Sequence, residues 1–375
     1  MEGAKSDDYE TKDGIDVTRT VRTGRLVLLL LLAIALAMTA CSGSGSNNDE
    51  TPDASLENTA ANEPAPVEPE PEPEPKALAP LTGLPVEEVV TTRPVAVMIN
   101  NFGAARPQSG LPHADMVWEV LAEGGITRLI AVFQSDAFDG PIGPIRSIRP
   151  YLIELADTYG SIIAHAGASN DAYAILQRQD KPYLDEISNA GTYFKRDKSR
   201  KAPHNLYSDL KSLREGAEKK GYAATAVHGG YPFMETAVPP IGGTDATKIE
   251  IKFMLDNYKV SYAYDSVTQL YSRAINDKPH TDLTSGDQLT ATNLVVLGTR
   301  HKVLDNEGRM EVDLKSGGPA VLYQLGKAVE AEWVRSGDDV IRIMKDGSEL
   351  KFAPGKTYYH IVPSATSLAE HVSVQ

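Results

Sequence analysis

Proline alternates with glutamate over residues 67–76 (VEPEPEPEPK), and this stretch sets the first limit on what the chain can fold into. Every second residue there has a locked φ and no backbone N–H, and the like charges between repel. The segment therefore favours extended polyproline II at about 3.1 Å per residue and offers nothing to a core. The polar run just before it, beginning SGSGSNND, cannot pack either. Between residues 42 and 76 nine acidic residues stand against one lysine, so this stretch alone carries -8 of the formal net charge of -14. Residues 42–80 thus read as a stalk, and a folded part can begin only near Leu81.

Upstream, Arg19, Arg22 and Arg25 precede an apolar run over residues 26–38 (LVLLLLLAIALAM), which leads to Thr39, Ala40 and Cys41. The run is short of the roughly 20 residues that span a bilayer. A basic start, a short apolar middle and small residues before a cut read as a secretory signal over residues 1–41; an uncleaved anchor is the alternative. MTAC resembles the lipobox of bacterial lipoproteins, with Met38 where leucine is commonest. That resemblance implies that Cys41 is acylated and becomes the first residue of the mature chain. The lipid would then hold the protein on the outer face of the bacterial cytoplasmic membrane. Cys41 is the only cysteine, so cysteine nucleophiles and cysteine metal sites are excluded in the folded part.

That part is only mildly acidic and lacks the basic footprint of a phosphate-tracking protein, which argues against nucleic acid as a partner. Over residues 81–240 strands and helices mix. RPVAVMINN is a β-rich apolar run, and MVWEVLAE and ITRLIAVFQ flank Gly124-Gly125 as a hairpin would. SIRPYLIELADTYG has the helical period. SIIAHAG reads as a buried strand, with Ser169 capping the helix NDAYAILQRQ and Asn205 placed to cap LYSDLKSLREGAEKK before Gly221. AVPPIGGTD marks a boundary. Over residues 245–365 the texture becomes short, alternating and β-branched or aromatic (KIEIKF, KVSYAYD, TQLYSRAI, TNLVVLG, VIRIMK, YYHIV). The fold class expected is α+β: a mixed α/β N-terminal domain followed by a smaller, mostly β C-terminal domain.

Five stretches of the first domain concentrate polar residues: VWEVLAEGGITR, GPIGPIRSIRP, IIAHAGASN, YFKRD and RKAPHN. Together they resemble the N-terminal domain of the YerB-like lipoproteins, a two-domain bacterial family of unknown biochemical function, over much of residues 80 to 220. The second domain resembles that family's C-terminal domain. The resemblance implies fold, layout and an envelope location; it supplies no reaction.

The residues suggest a site. Arg146 and Arg149, three apart at an expected helix start, would share a face of the first turn. The macrodipole there disfavours cations and favours an anion, so either a bound oxyanion or an internal carboxylate (Glu119, Glu123 or Asp197) should offset them. With Gly124-Gly125 as a two-residue loop, Glu119, Glu123 and Arg128 fall on one sheet face, Glu123 within reach of Arg128. His165 ends a strand, where open α/β sheets tend to bind ligands, and a core histidine bonded to backbone is the plain alternative. His204 and Asn205 stand at another helix start. In YFKRDKSRKAPHNLY the lysines read as a solvated face, whereas Arg196 and Arg200 suit oxyanion recognition and are assigned with Asp197 to the Arg146/Arg149 pocket. Tyr258, Tyr262, Tyr264 and Tyr271 suggest a carbohydrate platform or, more simply, cross-strand packing. No cofactor motif and no HExxH-like metal spacing is present, and HAGAS is not a GxSxG elbow.

Two functions from different classes fit. One is a lipoprotein that binds an anionic envelope ligand or scaffolds a cell-wall protein partner, with Arg128, Arg146, Arg149, His165, Arg196, Arg200, His204 and Asn205 as the binding residues. The other is a phosphotransferase-like enzyme on a phosphate or pyrophosphate-containing envelope substrate. In that case arginines would stabilise developing charge and Glu119 or Asp197 would take the acceptor's proton.

Overall fold

The computed structural model describes residues 77–375. The signal-like segment, Cys41 and the Glu/Pro tract lie outside the described residues. In the first part of the chain, strands Val95–Asn100 (β1), Met116–Leu121 (β2), Thr127–Phe133 (β3), Ile162–His165 (β4) and Tyr183–Asp185 (β5) alternate with helices Pro150–Asp157 (α1), Asn170–Arg178 (α2) and Leu210–Lys219 (α3). Every residue of β1 to β4 is buried, which explains their near-continuous apolar sequences: strands covered on both faces need no alternation. The remainder is nearly all strand: Lys248–Lys252 (β6), Lys259–Asp265 (β7), Leu270–Ile275 (β8), Asn293–Gly298 (β9), Gly318–Gln324 (β10), Lys327–Val334 (β11), Arg342–Lys345 (β12) and Thr357–Val362 (β13). This is an α+β fold with a mostly β C-terminal part.

The two segments share one sheet. Its twelve strands run β12-β11-β10-β9-β13-β2-β3-β1-β4-β5, with Ser348–Glu349 beyond β12 and Thr244–Asp245 beside β11. The seam is the parallel pairing of β13 with β2, from Thr357↔Met116 to Ile361↔Val120. Side chains alternate across a strand, so the seam has two distinct faces. On one, Trp118 stacks on its register partner Tyr359 with ring centroids 4.0 Å apart. On the other, Glu119 and His360 meet the second, six-stranded sheet built on β6, β7 and β8.

Glu119 is fully buried there, and its Oε2 accepts a hydrogen bond from Arg273 Nη2 at 2.7 Å. Its Oε1 accepts from Tyr258 Oη (2.6 Å), Thr127 Oγ1 (2.8 Å) and Asn101 Nδ2 (3.2 Å), while His360 Nδ1 lies 3.2 Å from Oε2. Burial pushes the carboxyl up, but Arg273, His360 and Tyr258 outweigh it and hold Glu119 well below the usual carboxylate range. Arg273 continues the network: its Nε donates to His280 Nδ1 at 3.0 Å, and His280 Nε2 donates to Gln108 Oε1 at 2.7 Å. Tyr258, Tyr262 and Tyr271 are buried in this sandwich; they are core and network residues, not an exposed platform.

The β2–β3 hairpin corrects one expectation. Its register is Leu121↔Thr127, Val120↔Arg128 and Glu119↔Leu129, one residue away from that of a two-residue Gly-Gly loop. The turn has three residues, Glu123–Gly125, closed by Ala122 N–H to Ile126 O at 2.6 Å. Gly125 has φ +75, and Leu255 fills the space where a Cβ would stand, so this position needs glycine. A one-residue shift exchanges the faces of a strand. Glu119 and Arg128 therefore lie on opposite faces of the sheet, not on one.

Helix starts differ in detail. Ser169 caps α2 as expected, accepting from Ala172 N. The cap of α3 is Asp209, whose Oδ1 accepts from Ser212 N at 2.7 Å, and not Asn205. Asp can accept from two donors and stands one residue before the helical run, whereas Asn205 is taken by the loop described below.

Removing one partner of a buried ion pair strands the other, so Arg273→Ala is expected to cost about 3–5 kcal/mol in urea unfolding. The double change Glu119→Gln with Arg273→Met should recover most of that. Glu119 also sets a sign for pH: its folded value is depressed, so its contribution is complete above about pH 4.3 and is lost only as pH falls through the folded value. Unfolding midpoints followed below pH 5 should therefore fall more steeply in the wild type than in Glu119→Gln.

Candidate functional site

Strands β1, β2, β4 and β5 are mutually parallel, linked through antiparallel β3. Their carboxyl ends, at Asn100, Leu121, His165 and Asp185, open on one edge of the sheet. Arg128, at the start of β3, joins them there. Above these tips runs the segment 142–148, extended and laced to its neighbours by backbone bonds: Arg146 N–H to Met98 O (2.8 Å), Ile145 N–H to Leu206 O (2.7 Å) and Ala166 N–H to Arg146 O (3.1 Å). A Cβ on Gly143 would lie 2.7 Å from Leu206 O, so only glycine permits this approach. Helix α1 begins at Pro150 with Arg149 as an extended N-cap residue. Arg146 and Arg149 are thus held by the loop before the helix and not by its first turn.

Four guanidinium groups gather at this edge. Arg128 is buried, with Nη1 donating to Ser147 O at 2.8 Å and Nη2 3.7 Å from Glu123 Oε2. Its Nε is buried with no hydrogen-bond partner. Arg149 pairs through Nε with the other oxygen of Glu123 and donates to Ile148 O at 2.6 Å. Arg196 pairs with Glu186 at 2.9 Å and donates to Asn205 Oδ1 at 3.2 Å. Arg146 has no carboxylate partner among the described residues; it stands in the fields of Glu123, Arg149 and Arg196. Four cations thus share two carboxylates. Burial first, and then the neighbouring arginines, hold Arg146 below the ordinary guanidinium value. Arg128 is lowered to about 10 by burial, with Glu123 opposing and Arg149 and Arg146 adding.

His204 completes the rim. Its Nδ1 accepts from Asn100 Nδ2 at 2.8 Å and its ring stacks on Phe102. Burial, Arg146 and Arg200 keep it below the usual histidine value, so it is neutral at pH 7. Asn205 donates to Asp197 O (3.0 Å) and Arg200 O (3.3 Å), which shapes the loop that presents Arg196. The edge therefore offers surplus positive charge and planar donors suited to an oxyanion.

The other expected residues lie elsewhere. Glu119 is sealed behind the sheet by Arg273 and reaches neither the arginines nor solvent. Asp197 is half-buried, and hydrogen bonds from the Ser199 side chain and from its backbone N–H, at 2.8 Å, hold its carboxyl below the usual value; it forms no ion pair with an arginine. Arg200 binds backbone, donating to the carbonyls of Ala105, Arg106 and Pro107 and to Tyr207 Oη. His165 is fully buried, with Nδ1 at 3.0 Å from Gly167 O and 3.5 Å from Asp185 Oδ1. Burial lowers it, with Asp185 opposing, and it serves the core beneath the site. Asp185 in turn accepts from Gly167 N, Tyr173 Oη, Ile187 N and Ser188 N, which ties the β4 and β5 tips together.

Three contributors escaped sequence reasoning. Asn100 carried a signal, being the first of two asparagines ending an apolar strand, where a buried amide must have partners. Glu186 and Arg273 carried none, because their partners Arg196 and Glu119 are ten and more than a hundred residues away.

Arg146 and Arg149 should separate in stability measurements. Arg149→Ala leaves Glu123 half-paired and should lower the thermal midpoint. Arg146→Ala removes a cation that repels its neighbours, and its midpoint should stay unchanged or rise slightly, within about 1 kcal/mol.

Residues 81–223 match the family described as protein of unknown function (DUF3048), N-terminal domain, and residues 249–359 match its C-terminal domain. The chain is 36% identical over 291 residues to the putative lipoprotein YerB of Bacillus subtilis (strain 168), covering 77% of this chain and 87% of that one. The crystal structure of the Bacillus subtilis YerB protein superposes with a TM-score of 0.73 at 35% identity, covering 80% of this chain and all of that one. Two-segment match, relative and superposed structure agree: the chain belongs to the DUF3048 family of YerB-like proteins.

Proposed function

We propose that this protein is a lipoprotein, anchored through Cys41 on the outer face of the bacterial cytoplasmic membrane, that binds an anionic ligand of the cell envelope at the arginine edge of its sheet. The observation that carries the reading is Arg146: a half-buried guanidinium with no carboxylate partner among the described residues, next to three other arginines. A protein gains no stability from such an arrangement, so it points to a partner from outside, a phosphate or carboxylate oxygen that would accept from Arg146. The position at the carboxyl ends of parallel strands fits ligand binding.

Anchoring is supported by the relative's description as a putative lipoprotein and by the basic, apolar and small-residue order that ends at Cys41. Among the described residues no helix is long and apolar enough to cross a membrane. Binding is favoured over phosphoryl transfer because Glu119, the internal carboxylate that would accept a proton, is held by Arg273, and Asp197 points into its own turn.

Calorimetric titration of the detergent-solubilised full chain with inorganic phosphate tests the reading. Arg146→Ala should weaken binding by about tenfold or more, as expected for losing a charge-assisted hydrogen bond, and binding should weaken as salt is raised. Phosphate binding that is absent, or indifferent to Arg146, would leave a protein-scaffolding role as the better account.

A further inference from the structure

The arginine edge is bordered by exposed apolar side chains. Phe102, two residues past the tip of β1, is 44% exposed, and its ring stacks on His204 with centroids 5.2 Å apart. That places it beside Asn100, which donates its side-chain amide to His204 Nδ1 and its backbone N–H, at 2.8 Å, to Pro144 O in the segment that carries Arg146. Ile187, two residues past the tip of β5, is 69% exposed. A Cβ on Gly167 would lie 3.1 Å from Ile187 Cδ1 and 3.4 Å from Ser147 Oγ. Ile187 thus stands next to the residue that follows Arg146 and whose carbonyl receives Arg128. On a third side Met254 is 49% exposed; it precedes Leu255, whose side chain packs at Gly125 in the Glu123 turn.

Scattered exposed apolar residues are ordinary, but three that border one group of cations call for a partner. Their surface leaves water only when something apolar meets it, while the arginines require anions at the same edge. A bilayer interface supplies both at adjacent depths, headgroup phosphates outside and acyl chains just beneath. We propose that this edge docks onto an anionic phospholipid surface, with Arg146 donating to a headgroup phosphate and Phe102 and Ile187 entering the boundary between headgroups and chains. The inference rests on the oxyanion reading above and names the source of the oxyanion: a lipid headgroup in its own bilayer, not a free phosphate. Charge selects the side that approaches. With a formal net charge of -14 the chain as a whole is repelled by an anionic surface, and the spare cations at the strand tips turn that edge toward it. The lipid proposed on Cys41 would keep such a surface within reach.

The test uses the full chain carrying Phe102→Trp, reconstituted into vesicles with brominated acyl chains. One set is phosphatidylcholine alone and the other phosphatidylcholine with phosphatidylglycerol in equal parts. Bromine quenches an indole that reaches the chains. The only native tryptophans, Trp118 and Trp333, are each 1% exposed, so the wild-type chain supplies the background. The indole at position 102 should be quenched in the phosphatidylglycerol vesicles and much less in phosphatidylcholine, and raising the salt should reverse the effect. Adding Arg146→Ala should lower the docked-to-free ratio about fivefold, the effect of one basic side chain at an anionic surface. Ile187→Trp is a second reporter with the same expected pattern, which guards against a local defect at position 102. Quenching that is absent from both vesicles, equal in both, or unchanged by Arg146→Ala overturns the proposal. If the detergent-solubilised chain binds inorganic phosphate through Arg146 and these patterns fail, only the membrane surface is lost and the apolar border belongs to a protein partner. If phosphate is not bound either, the oxyanion reading fails with it.

Discussion

The buried contact between Glu119 and Arg273 is the constraint on which the rest of the structure depends. It lies at the seam where β13 of the C-terminal segment pairs with β2 of the N-terminal one, and it ties that seam to the second sheet. A buried carboxylate and a buried guanidinium are each costly alone and tolerable only together. Asn101, Thr127, Tyr258, Tyr262 and His280 supply further hydrogen bonds, so the network ties the two segments together. The aromatic face opposite, with Trp118 on Tyr359, adds packing without polar demands.

The same network reaches toward the arginine edge. Arg273 bonds His280, His280 bonds Gln108, and Gln108 Nε2 donates to Asn100 O and Asn101 Oδ1. Asn100 then presents its amide to His204. The residues beneath the arginine edge are thus joined to the buried Glu119–Arg273 pair by a continuous chain of hydrogen bonds. Above it, charge is left unbalanced: Glu123 serves two arginines, Glu186 one, and Arg146 none. The buried cluster around Glu119 is matched internally, whereas Arg146 at the sheet edge has no carboxylate partner among the described residues.

Much of the site was legible because local chemistry announces itself. Arginines at 128, 146, 149 and 196 do converge, as their placement near strand ends and turns implied. What misled was geometry at the level of single residues. A turn of three residues in place of two exchanged the faces of β2, which took Glu119 from the arginines and left Glu123 to them. Arg200, with the same side chain as its neighbours, found backbone carbonyls and left the cluster. The β10–β11 hairpin was also hidden, because its turn residues Leu325 and Gly326 both have positive φ and leucine is not a residue that signals such a turn.

By itself the sequence determined the α+β order of elements and the supply of cations near strand ends. These follow from hydrophobic period and residue type, which act over a few positions. Only the tertiary structure decided that the two segments share one sheet, that Glu119 belongs to Arg273, and that Arg146 is the cation without a carboxylate. Those outcomes depend on contacts between residues up to more than two hundred positions apart, and whether a charge is matched or spare is a property of its neighbours in space.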